Sequence, residues 1–127
     1  MRLWHEELIQ HLPRQQLLGQ HRECCALRGK GWGKPHSVVN YVFEYPPARL
    51  VAYHWLVMEE MEARGYRVTE AWKEPTYRGQ KCEPWPADSW EHYVRHGDGP
   101  IYPEHDAQYL SECLENLHAK GIDDLMD

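Results

Sequence analysis

The sequence predicts an all-α fold: about three helices joined by long ordered loops, with the N-terminal segment packed against the first long helix. Three observations carry this. Apolar residues recur at three- and four-residue steps in Leu12–Leu27, Ala48–Arg64 and Glu104–Lys120. A proline stands at the start of each, Pro13, Pro46-Pro47 and Pro103, where its missing N–H is no loss to a first helical turn. The one strand-like stretch, Ser37–Tyr45, has no evident partner, and a strand alone is not stable.

Residues 1–12 hold Leu3, Trp4, Leu8, Ile9 and Leu12, enough for an extended start and a short helical turn that ties the segment down. In the next segment Leu17, Leu18, His21, Cys24, Cys25 and Arg28 form one largely apolar side. The opposite side carries Gln15, Gln16, Gly19, Arg22, Glu23 and Ala26. Gly19 costs a helix roughly 1 kcal/mol against Ala, so backbone is expected to come close there, namely Met1-Arg2-Leu3-Trp4.

Arg28–Pro35, RGKGWGKP, is the one basic spot and reads as a loop, either a flexible connector or a phosphate contact. Ser37–Tyr45 then becomes a buried extended or helical piece. The clearest helix, Ala48–Arg64, has a stripe of Leu50, His54, Val57 and Met61, widened by Val51, Trp55 and Met58, and Gly65 stops it. His54 reads as a satisfied core histidine. Tyr66–Gly99 is irregular, and its tryptophans argue for an ordered, functional loop. In the last helix Leu110, Cys113, Leu114 and Leu117 face inward and Gly121 ends it, leaving a frayed IDDLMD tail.

A chain of 127 residues is expected to form a single domain, residues 1–127. Its net charge of −6 gives no general basic footprint, so any contact with nucleic acid must be local. No apolar run reaches the roughly 18 residues that span a membrane. His5, Glu6 and Glu7 interrupt any signal peptide, so the expectation is a cytoplasmic monomer with no membrane partner. Cys24, Cys25, Cys82 and Cys113 are then reduced and read as core filler. No P-loop, G-x-S-x-G or H-E-x-x-H occurs, and no cofactor is implied. His92-x-x-x-His96 with His105 is a metal-like spacing broken by Gly-Asp-Gly-Pro, and no metal site is assigned to it.

Several signals fall in a recognisable order: Arg2 near the amino end, Arg22-Glu23 on the first helix, Asn40–Tyr45 leading into a long helix that ends Arg64-Gly65-Tyr66, then Tyr77-Arg78-Gly79 and Tyr102-Pro103. In this the chain resembles the phage-type, endonuclease V-like pyrimidine-dimer DNA glycosylases, and its opening is similar to that of a bacterial branch of them. The resemblance implies a small all-α enzyme that cuts the glycosidic bond at UV-induced dimers or related lesions in double-stranded DNA and then nicks the strand as an AP lyase.

It also implies roles. An α-amine titrates near 7.7–8.0 against about 10.4 for lysine, so far more of it is neutral and nucleophilic at pH 7. Arg2 is too bulky for removal of the initiator, so Met1 is expected to remain and to supply that amine. Glu23 would be the helix carboxylate that stabilises the charged sugar and moves protons. Substrate contacts would come from Arg2, Gln16 (where the family carries a histidine), Arg22, Arg28, Lys30, Lys34 and Arg78. The competing readings are an acidic helical protein-interaction module, with Arg22-Glu23 a simple ion pair, and a His-ligated metalloenzyme.

Overall fold

Three long helices form where the apolar stripes are: α1 (Arg14–Arg28), α2 (Pro47–Ala63) and α3 (Ala107–Ala119). The computed structural model describes residues 2–35, 38–86 and 100–122. Short 3-10 helices occupy Glu6–His11, Asn40–Glu44 and Glu70–Lys73, and no strand occurs among the described residues. His92, His96 and the tail from 123 onward lie outside the described residues.

Pro13 and Pro46 hold the N-cap positions of α1 and α2, and Pro47 follows as the first helical residue of α2. α3 begins at Ala107 rather than Glu104. The Asp106 carboxylate accepts from the Tyr109 N–H at 2.9 Å, and this cap fixes the start three residues beyond the expected one. Gly65 and Gly121, both at positive φ, end α2 and α3 as anticipated.

α1 packs chiefly on α2. Leu17, Cys24 and Leu27 of α1, Leu50, Val57 and Met58 of α2, and Cys113 and Leu117 of α3 share one core with Leu3, Leu8 and Leu12. On α2 the stripe Leu50, His54, Val57 and Met61 is buried, but Trp55 is 40% exposed and does not widen it. The described part of the 37–45 stretch is helical rather than extended, and it buries Val39 and Val42.

The N-terminal segment lies against α1, with Leu3 and Trp4 buried. Cys24 and Cys113 are core residues, and the cysteines are free. His105, expected only as a loose third member of a metal-like group, is buried, with Nδ1 accepting from the Glu6 N–H and Nε2 against the Tyr41 hydroxyl. Burial holds its pKa down to about 3. No helix among the described residues is long and apolar enough to cross a membrane.

Candidate active site

The head of the chain is held by side chains from all three helices. Gln20 of α1 accepts from the Trp4 N–H at 2.7 Å and from the Tyr53 hydroxyl of α2 at 3.0 Å. Its amide nitrogen donates to the Arg2 carbonyl at 2.9 Å and to Glu23 Oε2 at 3.0 Å. Tyr53 also donates to the Trp4 carbonyl, and Tyr109 of α3 donates to the Leu3 carbonyl, each at 2.5 Å. Three consecutive residues, 2 to 4, thus have their main-chain carbonyls tied down. None of Gln20, Tyr53 and Tyr109 stood out in the sequence; a glutamine recurring with Leu17 and Cys24 on a buried helix face was the available signal.

Glu23 lies half-buried beside this segment. Burial raises its pKa above the ordinary glutamate range. The positive charge of the amino terminus, a hydrogen bond from the Arg2 backbone, the Gln20 amide and the Arg22 charge all pull the other way. The result is a carboxyl group that burial pushes up and the chain's first residues partly hold back. Met1 itself lies outside the described residues.

Arg22 is exposed and makes no ion pair with Glu23; the salt bridges among the described residues are Arg64–Glu60, Lys73–Glu62 and Lys73–Glu70. A Cβ on Gly19 would lie 3.7 Å from the Arg22 guanidinium, with nothing else described nearby. The expectation that backbone approaches Gly19 is therefore corrected: the space belongs to an arginine side chain from the next turn. Arg2 is half-buried, its guanidinium 5.6 Å over the Trp4 ring and in hydrogen-bond contact with Tyr109 and Cys113. Gln16 is half-exposed on α1, one turn before Gln20.

Arg28 departs most from expectation. It is fully buried and is no phosphate contact. Its five N–H groups go to the Tyr77 carbonyl twice, the Trp72 and Glu74 carbonyls, and His54 Nδ1, at 2.8–3.2 Å. Burial lowers its pKa to about 10, still cationic at neutral pH. Arg78 is likewise engaged, donating to the Arg28 and Gly29 carbonyls at 2.8 and 3.1 Å and stacking on Trp85 at 4.6 Å. The glycine-rich loop is therefore tied to the 72–78 segment rather than flexible. Lys30 and Lys34 remain exposed on it. Lys30, Arg78 and Lys81 line an open cleft of about 530 Å³ that starts at Cys25 and Ala26.

His21, Cys25 and His54 have atoms within 4.8 Å of one another, a ligand-like grouping absent from the sequence expectations. Because Arg28 donates to His54 Nδ1, the His54 proton resides on Nε2 and points at His21 Nδ1, 2.8 Å away. His21 then carries its proton on Nε2, facing Cys25 Sγ at 3.8 Å. A cation here would have to displace that proton and sit beside a guanidinium, so the donor set fits a directed hydrogen-bond chain better than a metal. Burial also pushes the Cys25 thiol up to about 11, leaving it protonated.

A family model described as pyrimidine dimer DNA glycosylase matches residues 1–74, which include Arg2, Gln20, Arg22 and Glu23. No curated protein and no solved structure matches the chain.

Proposed function

Because the chain belongs to the pyrimidine dimer DNA glycosylase family, we propose that it excises damaged bases through the α-amine of Met1 and then cleaves the abasic strand as a lyase. The observation that carries this reading is the docking of residue 2 on Glu23, by a hydrogen bond from the Arg2 backbone and by the shared Gln20 amide. Three covalent bonds separate the Met1 and Arg2 nitrogens, so the amine lies within about 3.7 Å of the Arg2 nitrogen whatever its conformation. A free amine at that distance shares the reach of the Glu23 carboxylate.

The chemistry follows. The neutral amine attacks C1′, the bond from C1′ to the base breaks, and the base leaves with the electron pair and takes up a proton. Nitrogen then loses a proton and its lone pair expels the ring oxygen: the C1′–O4′ bond breaks, O4′ takes up a proton, and the open-chain C1′ iminium forms. Glu23, as carboxylate, stabilises the positive charge developing on the sugar and then accepts the C2′ proton, so that the C3′–O bond breaks by β-elimination. Water hydrolyses the iminium and returns the amine. At a preformed abasic site the same amine condenses with the C1′ aldehyde and releases water. Arg22, exposed and unpaired among the described residues, would take a phosphate near the lesion. UV-induced pyrimidine dimers are the substrate the family suggests.

Borohydride trapping on a duplex with one abasic site tests the mechanism. The expected result is a covalent adduct that peptide mapping assigns to Met1, with intact mass confirming that Met1 is present. An adduct on a lysine side chain, or none, overturns the nucleophile. A panel of duplexes carrying a cyclobutane dimer, uracil or an oxidised base then names the lesion. Equal release from all of them, or from none, rejects dimer specificity.

A further inference from the structure

We infer that Gln20 is a positioning residue, whose side-chain amide holds the chain's amino end in register with the Glu23 carboxylate. The inference rests on the reading of that end as the nucleophile.

An amide has two acceptor lone pairs and two N–H donors, and all four are used here. Oε1 receives the Trp4 N–H at 2.7 Å and the Tyr53 hydroxyl at 3.0 Å. Nε2 gives one proton to the Arg2 carbonyl at 2.9 Å and the other to Glu23 at 3.0 Å. The orientation is unique: a flipped amide would aim its NH₂ at the Trp4 N–H and its oxygen at the Arg2 carbonyl and a carboxylate.

Gln20 is 1% exposed, on the face of α1 that also buries Leu17, Cys24 and Leu27. Leucine would fill this place without a requirement for partners, whereas a buried amide is costly unless each polar atom is satisfied. What the amide adds is the link. One of its donors holds the segment that bears the amine, and the other holds the carboxylate. Asparagine is one methylene too short to span both, and glutamate has no donors. Tyr53 and Tyr109 complete the grip on residues 3 and 4 from the other two helices. An active-site misplacement of about 1 Å can cost on the order of a hundredfold in rate, which is the scale such a link protects.

The test is Gln20→Leu, which is near in volume and removes all four bonds, on an abasic-site duplex. The expected result is a fall in kcat of about thirty- to a hundredfold with KM within about threefold. The lower of the two breaks on the acid side of the pH–rate profile, which lies below that of the amine and belongs to Glu23, should also move to higher pH, because Glu23 loses a donor that favours its charged form. Merely loosened packing would admit water to Glu23 and move that break the other way, to lower pH. Should Gln20→Leu fail to fold, Gln20→Glu keeps an oxygen for the Trp4 N–H and the Tyr53 hydroxyl and, as a carboxylate, loses both Nε2 bonds. It should lower kcat and move the same break to higher pH; wild-type kcat in that variant overturns the inference. A folded Gln20→Leu protein that traps with borohydride as fast as wild type, with an unshifted profile, overturns the inference alone. A wild type that forms no adduct overturns the nucleophile reading beneath it.

Discussion

Arg28 Nη1 and His54 Nδ1 lie 3.0 Å apart, a buried cation resting on a neutral ring between α1 and α2. The remaining donors of Arg28 reach the 72–77 segment, so one side chain joins two helices to the loop that follows them. The histidine pair takes its proton arrangement from this bond.

Arg28→Met is expected to destabilise the fold by about 3 kcal/mol or more, since three carbonyls and a buried ring nitrogen lose their donor together. Arg28→Lys recovers little of this, because three donors cannot serve five bonds in a planar fork. Thermal unfolding of both variants measures it. A variant that melts within a degree or two of wild type would show that these contacts carry no weight.

Stability is expected to fall as pH drops below about 6.5. Burial lowers the pKa of His21, of His54 strongly, and of His105 to about 3, with Arg28 acting in the same direction on the first two. The unfolded chain therefore binds more protons than the folded one below the unfolded histidine pKa, so unfolding becomes easier on acidification. Each fully buried histidine contributes about 1.4 kcal/mol per pH unit until its folded pKa is reached. Denaturant midpoints at pH 7.5, 6.5 and 5.5 check the slope, and His105→Phe should reduce it.

Glu23→Gln is expected to leave the fold and DNA binding close to wild type and to reduce strand cleavage about a hundredfold or more, the scale of one positioned acid–base group. The glutamine can still accept from Arg2 and Gln20, so the loss reports charge rather than anchoring. Strand nicking measured per folded molecule decides it. Normal cleavage would make Glu23 an anchor for the chain's head and nothing else.

DNA binding is expected to give a log–log salt slope of about −3, from roughly −0.9 for each phosphate contact of Arg22, Lys30 and Lys34. Arg22→Ala should flatten the slope by about one contact. The acidic groove lined by Glu6, Glu7, Glu59 and Glu60 shares no residue with the Lys30–Lys81 cleft, so the negative charge need not oppose DNA there. Titrations between about 50 and 200 mM salt give the slope. Binding indifferent to salt would exclude phosphate contacts altogether.

The sequence by itself determined the helices and the family. Stripes with proline starts and glycine stops are local facts, and helix periodicity is set by the same backbone geometry everywhere. The largest displacement was at the start of α3, since a side-chain cap at Asp106 outweighed the proline three residues earlier. The packing of the N-terminal segment on the first long helix was legible too, because a short link joins the two and Leu3 and Trp4 need burial. What only the tertiary structure decided is where each polar side chain spends its hydrogen bonds. Arg28, Arg22 and Arg78 have identical donors in the sequence, yet one is buried under three carbonyls, one lies over Gly19 and one braces a loop. Gln20 and His54 gain their roles from partners 16 to 33 residues away. Such partnerships depend on which backbone groups the fold leaves unpaired at a given place, and no local pattern encodes that.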